Sequence, residues 1–290
     1  MKESDKVVLS DNQVAAIKYL ASETRRIFGV HSNVPVGSDM RLILERKGIF
    51  LCEYPFSESE DTHTYGNIVM FKTDEEPITF IGLNTACYYD EQIFAMAHEI
   101  FHFSTKTGKA YSTEAETEDN VTEKMADRFA AEFLLPAEAL RENVFSAFNS
   151  YDLKDMPETR LIRFVARLQC DWWLPYKAII NRLNEEGLIS EKQYNSLYNI
   201  DCRSEDGMYR RLIRSTDNEI SELLNTKTRT KGVSSKIIDT IINNYEDGFI
   251  EYDEVFELLT LLNKKPEDYG IHEMVEFDED FLDFIESEDG

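Results

Sequence analysis

Cysteine is scarce and badly spaced for a covalent framework. Cys52, Cys87, Cys170 and Cys202 are far apart and form no C-x-x-C pair, which speaks against a disulfide scaffold and a cysteine zinc knuckle. Long apolar runs are also missing: no uninterrupted stretch approaches the roughly 18 residues that a membrane span needs. The first residues, MKESDKVVLSDNQ, hold no apolar segment of the kind a secretory signal requires. A cytoplasmic protein with reduced thiols is the expectation. The third shortage is positive charge. Lys and Arg number 31 against 56 Asp and Glu, a net charge of −25. Such a chain is repelled by phosphate backbones, so direct nucleic-acid binding is disfavoured in spite of the short basic run Lys227–Lys231.

What is present suits a globular protein. The chain has 290 residues, 42% hydrophobic and 12% aromatic, enough for a sizeable core. Acid is concentrated at the end: from Glu246 to Gly290 seventeen acids face two lysines, a local charge of −15. A solvated, partly helical surface is the plain reading of that segment, and a docking surface for a basic partner is the sharper one.

Residues 12–28 carry Val14, Ile17, Leu20, Ala21, Thr24, Ile27 and Phe28 near helical spacing, and Gly29 stops the run. A second helix, capped by Ser38 or Asp39, runs through Leu44. The period then changes. IFLCEYPF, NIVMFKT and PITFIGLN are short, β-branched and aromatic, and are separated by polar turns, which predicts strands over 49–56, 67–73 and 77–84. From Asp90 onward the pattern is helical: 91–105, 120–135, 137–148, 158–169, 174–186 and 191–199, then pieces near 205–224, 234–246, 252–263 and 277–286. The fold class expected is α+β, mainly helical, with a small mixed three-stranded sheet and a helical C-terminal region. The expected domains are an N-terminal helical segment (1–35), a central domain with the strands and the helices that follow them (36–200) and an acidic helical region (201–290). The weak points are Asp201–Gly207 and Asn225–Gly232, where polar residues and glycine cluster.

The chemistry is concentrated in residues 97–103, Ala-His-Glu-Ile-Phe-His-Phe. On a helix His98 and His102 lie one turn apart on one face and can converge on a single ion, for which neutral imidazoles favour zinc. Glu99 is rotated about 100° around the axis, beside the metal rather than on it, where it can act as general base on a zinc-activated water. A catalytic zinc site commonly has a third protein ligand. Glu123 and Asp127, again i and i+4, stand in NVTEKMADRFAAEFLLP, with Asn120 as a candidate cap. The simplest arrangement makes Glu123 the third ligand and Asp127 the acceptor for a remote histidine N–H. Glu114, Glu116, Glu118 and Glu132 are rivals for Glu123. Small residues at Ala126, Ala130 and Ala131 would let the two helices approach closely.

AHEIFHF, followed by Glu123-x-x-Ala126-x-x-Phe129-Ala130-Ala131-x-Phe133-Leu134-Leu135-Pro136, resembles the ImmA/IrrE family of metallopeptidases. PITFIGLN is similar to that family's strand ahead of its active-site helix. The resemblance implies zinc on His98, His102 and Glu123, with Glu99 for catalysis. It also implies cleavage of a helix-turn-helix repressor, in bacteria or mobile elements. Two departures stand out: Phe101 where the family often has glycine, expected to narrow the cleft, and Asp127 where asparagine is frequent.

Other residues read blandly. His31, His63 and His272 are expected on the surface, and Trp172–Trp173 in the core. One of Tyr65, Tyr88 and Tyr89 would suit an oxyanion, with nothing to select among them. The strand over 77–84 is expected at a sheet edge, where it would take an extended substrate by β-addition. Against the endopeptidase stands a metal-stabilised regulator that binds a partner without cutting it.

Overall fold

A computed structural model describes residues 8–31, 33–56, 65–71, 77–107, 109–110 and 120–272. Two compact units divide it, Met1–Lys231 and Gly232–Gly290.

The first unit opens with α1 (Asp11–Ile27), held at its start by a reciprocal capping box between Ser10 and Gln13. Beyond its end, Gly29 adopts φ +73. Helix α2 (Met40–Arg46) leads into β1 (Ile49–Tyr54), followed by β2 (Gly66–Phe71) and β3 (Ile78–Asn84). β3 is central: it pairs parallel with β1, Leu51 opposite Ile81, and antiparallel with β2, Ile68 opposite Ile81. The expectation that 77–84 forms an edge is therefore corrected, because a strand bonded on both sides has no free ladder. A fourth short strand, β4 (Lys109–Ala110), pairs parallel with Val69 and Met70 of β2 and was absent from the expected three-stranded sheet. Alternation along the strands sends Ile49, Leu51, Ile68, Met70, Ile81 and Leu83 into the main core.

Against that face lies α3 (Tyr89–Thr105), and α4 (Asn120–Leu134) packs on it. Ala126 and Ala130 are fully buried in this contact, as their small size requires for close approach. Asn120 is the first helical residue rather than a cap, and Glu123 sits in the first turn. Helices α5 (Ala137–Phe148), α6 (Glu158–Trp172), α7 (Tyr176–Glu185) and α8 (Glu191–Tyr198) follow. Trp172 is buried in the core.

The stretch after Asn199, expected to open a separate region, lies within the first unit. Helix α9 (Met208–Thr216) packs on α6, and α10 (Asn218–Leu224) on α9. Arg203 reaches Asp90 at 2.7 Å and stacks over Tyr88, so this segment is tied to the start of α3. The second unit packs α11 (Ser235–Glu246) and α12 (Tyr252–Leu261) around Ile238, Ile241, Val255, Leu259 and Ile271. The helix expected over 277–286 lies outside the described residues, as do positions 72–73 of the second expected strand. Among the described residues no helix is long and apolar enough to cross a membrane.

Candidate metal centre

The 17-residue helix α3 puts His98 and His102 one turn apart, and α4 brings Glu123 to them. His98 Nε2 lies 3.2 Å from His102 Nε2 and 3.3 Å from Glu123 Oε2, and His102 Nε2 lies 3.4 Å from Glu123 Oε1. The outer nitrogens are already engaged. His98 Nδ1 donates to Asp127 Oδ1 at 3.1 Å, and His102 Nδ1 meets the Thr107 hydroxyl at 3.0 Å. Both rings are thus oriented with Nε2 inward, the arrangement that supporting hydrogen bonds impose on metal-binding histidines.

Three inward donors facing one another make a poor hydrogen-bonding group. A neutral imidazole offers a single N–H, so two Nε2 atoms and a carboxylate cannot all be satisfied by each other. Glu123 Oε1 is accordingly buried without a well-directed hydrogen bond. The spacing suits an ion instead: tetrahedral zinc with bonds of about 2.0 Å places neighbouring ligand atoms about 3.3 Å apart. The three residues therefore fit a metal, and among the described residues they are the group of ligand-type side chains whose atoms converge closely enough to hold one.

Charge points the same way. Burial works against a charged His98, but its hydrogen bonds to Asp127 and Glu123, with Glu99 nearby, outweigh that and raise its pKa to about 10. His102 and His98 hold the Glu123 carboxyl well below the usual range. A site that favours a proton on His98 favours a dication more strongly, and loading must release that proton.

Glu99 is 5% exposed and lines the same cleft as the three candidate ligands. The cleft has a volume of about 640 Å³, within the range of small-molecule and peptide sites. Gly66 of β2 faces Glu99: a Cβ there would come within 3.2 Å of Glu99 Oε1, so glycine leaves the carboxylate its room. Tyr65 lines the cleft, whereas Tyr88 and Tyr89 do not. Burial raises the Tyr65 phenol, which keeps it a donor.

The rival Glu132 is buried among Arg128, Arg182 and the Ala137 amide, away from the cleft. Glu114, Glu116, Glu118 and His63 lie outside the described residues. His31 and His272 are exposed. Phe101, expected to narrow the cleft, is 3% exposed and packs its ring on Phe129, so it fills the α3–α4 contact instead. Thr107 and Gly66 were not foreseen. The signal for Thr107 was its place just past the helix end: Lys106 turns left-handed at φ 58, and the Thr107 amide then bonds back to the His102 carbonyl.

No curated protein matches the chain. Residues 44–184, which run from the end of α2 into α7 and contain every residue of the cluster, match the Peptidase_M78 family model, described as the IrrE N-terminal-like domain. A metallopeptidase-type function and a bound metal are what that family implies. Over residues 44–184 the chain is thus similar to the IrrE N-terminal-like domain of the Peptidase_M78 family.

Proposed function

We propose that the protein is a zinc-dependent endopeptidase that hydrolyses a specific intracellular protein. The carrying observation is the convergence of His98, His102 and Glu123 in a cleft that also holds a nearly buried Glu99. His98, His102 and Glu123 would hold the ion, with Asp127 and Thr107 orienting the rings. When bound, zinc polarises a carbonyl and lowers the pKa of water toward ~7. Glu99 takes the proton from the attacking water and passes it to the leaving amine. Tyr65, a phenol that lines the cleft, would donate to the oxyanion of the tetrahedral intermediate.

Substrate backbone would add to β2, in place of the edge expected at 77–84. The Tyr65 carbonyl accepts from the Asn84 amide, so in the antiparallel ladder the next residue, Gly66, turns its own N–H and C=O away from β3. Among the described residues β4 pairs only with Val69 and Met70, and the Gly66 end beside the cleft would take an extended peptide. The resemblance to ImmA/IrrE proteins makes a helix-turn-helix repressor the favoured substrate, and four free cysteines agree with a cytoplasmic setting.

The test is the zinc-loaded chain against a proteome-derived peptide library, read as new N-termini, with Glu99→Gln beside it. The wild type should generate them, and the variant should lose ~10²–10⁴-fold of the rate while keeping its metal. Equal cleavage by the variant removes Glu99 from the mechanism. A zinc-loaded wild type that cuts nothing leaves the metal-stabilised regulator.

A further inference from the structure

The candidate metal centre fills only part of its cleft. On α3 the lining residues Glu91, Phe94, Ala95, His98, Glu99 and His102 recur at three- and four-residue spacing, so the cleft follows one face of the helix. From His98 back to Glu91 that face runs about 10 Å, at 1.5 Å per residue. The candidate ligands begin at His98, and Phe94 and Ala95 supply the surface before it. The Trp173 ring meets Tyr89 at 6.0 Å, which brings the start of α7 to this end of α3. Pro175, Lys177 and Ala178 line the cleft from there.

The local sequence explains why α7 offers this flank. Trp173 ends α6 in the left-handed region at φ 57 and Leu174 is fully buried, so the chain turns sharply into α7. Tyr176, whose hydroxyl donates to the Leu197 carbonyl, fills the core side of α7 together with Ile179 and Ile180. Pro175 and Ala178, three apart, share the neighbouring flank and stay half-buried at the cleft. The charges at this end are already occupied. Both Glu91 oxygens accept hydrogen bonds, from the Tyr88 amide at 3.1 Å and from Arg203 at 3.3 Å. The Lys177 ammonium lies 5.1 Å from the centre of the Tyr198 ring. What remains is apolar: Phe94, Ala95, Pro175 and Ala178, with the two alanines small enough to leave room between the helices.

We propose that this end of the cleft is a specificity subsite for a large apolar side chain, of leucine or phenylalanine size, next to the bond to be cut. The inference rests on the zinc-peptidase reading and names a substrate class for it. Ala178 is the specificity-determining residue, because a larger side chain there would fill the space itself. Size discrimination follows from burial: in an apolar pocket one methylene is worth roughly 10–200-fold. An ionised side chain is rejected, since it would lose its water with no free partner to replace it.

The experiment measures binding rather than turnover. The zinc-loaded full chain is titrated with hydroxamates, which chelate zinc, carrying a methyl, isobutyl, benzyl or carboxymethyl side chain. Each is made as an N-acetylamino-acid hydroxamate and as a malonyl hydroxamate, which present the side chain on opposite sides of the ion. In one of the two series isobutyl and benzyl should bind at least ~10-fold tighter than methyl and carboxymethyl. Ala178→Phe should reduce that preference to about threefold or less, with zinc affinity and the affinity for acetohydroxamate, which lacks the larger side chain, unchanged. General damage to the fold would move those two as well. Should Ala178→Phe fail to fold, Ala178→Leu fills the subsite less and should still lower the preference by roughly half or more. Binding of none of the probes, equal binding within both series, or a preference for carboxymethyl overturns the proposal. So does a preference that survives in a folded Ala178 variant. Failure of the endopeptidase reading shows differently: the apolar preference is present and the peptide library stays uncut.

Discussion

Helix α3 carries two polar clusters, and they handle burial in opposite ways. At its start Asp90 is fully buried, yet its carboxylate accepts from Arg203 Nη2 at 2.7 Å, Gln169 Nε2 at 2.8 Å and the Glu91 amide at 2.9 Å. Gln169 in turn accepts from the Tyr209 hydroxyl. Two turns further on, the inward Nε2 atoms of His98 and His102 and the Glu123 carboxylate face one another, and Glu123 Oε1 is buried without a hydrogen bond. Burial raises the Asp90 pKa to about 6 despite Arg203, a perturbation of the kind often taken to mark function. Asp90 nevertheless faces no cleft. The separating criterion is therefore satisfaction rather than titration: a closed polar network braces the fold, and a convergent, unclosed one is built for a missing partner.

Removing one member from each cluster should give opposite readouts. Glu123→Ala should cost more than the ~10–100-fold in zinc affinity that loss of a supporting residue costs, measured by competition with a chelator. Glu123 is partly exposed, so thermal stability of the metal-free protein should hardly move. Arg203→Ala should do the reverse. Breaking a buried pair costs roughly 3–5 kcal/mol, and Arg203's 20% side-chain exposure lowers that to ~2–4 kcal/mol in urea unfolding, with zinc affinity preserved. Zinc binding lost in Arg203→Ala at full stability, or kept in Glu123→Ala, would erase the distinction.

The two clusters also differed in how far they could be read in advance. The i, i+4 spacing of His98 and His102, repeated by Glu123 and Asp127, sets each pair on one face of its own helix; that the two faces meet was an expectation with rivals to Glu123, and the structure brings the four together. Nothing local in the sequence marks Asp90, because its partners come from 79 and 113 residues away. The same long-range tie is why the stretch after Asn199 lies with the first unit although glycine and polar residues suggested a break. Strand positions followed from composition, but strand order did not. Periodicity fixes which side chains share a face and says nothing of which strand lies in the middle, so β3 was misplaced at an edge. β4, two residues long, has no period to detect.

A smaller effect sharpens the Asp90 side. Its folded pKa lies above the ordinary carboxyl value, so the folded state holds the proton more tightly than the unfolded chain. Its stabilising contribution is complete below about pH 4 and is lost as pH rises to about 6, by up to ~3 kcal/mol at 1.36 kcal/mol per unit. Other carboxylates titrate in that window. The quantity to follow is thus the stability of wild type minus that of Asp90→Asn, which should decline from pH 4 to 6. A flat or rising difference would mean that Arg203 controls Asp90 more than burial does.

The smallest effect belongs to Asp127, where two consequences of one substitution oppose each other. Its carboxylate holds His98 through Nδ1, so Asp127→Asn should loosen zinc. The side chain is 54% exposed and water can replace it, which puts the loss near ~10-fold, the low end for a supporting residue. Asparagine also withdraws a negative charge that keeps the proton on metal-free His98, so zinc competes with that proton less. Above the His98 pKa of about 10 only the loosening would count, and below it the easier deprotonation offsets part of it. The affinity deficit of Asp127→Asn should therefore shrink as pH is lowered from about 9 toward 7 in chelator competition. A deficit that grows instead would show Asp127 supporting the bound ion more than it holds the proton.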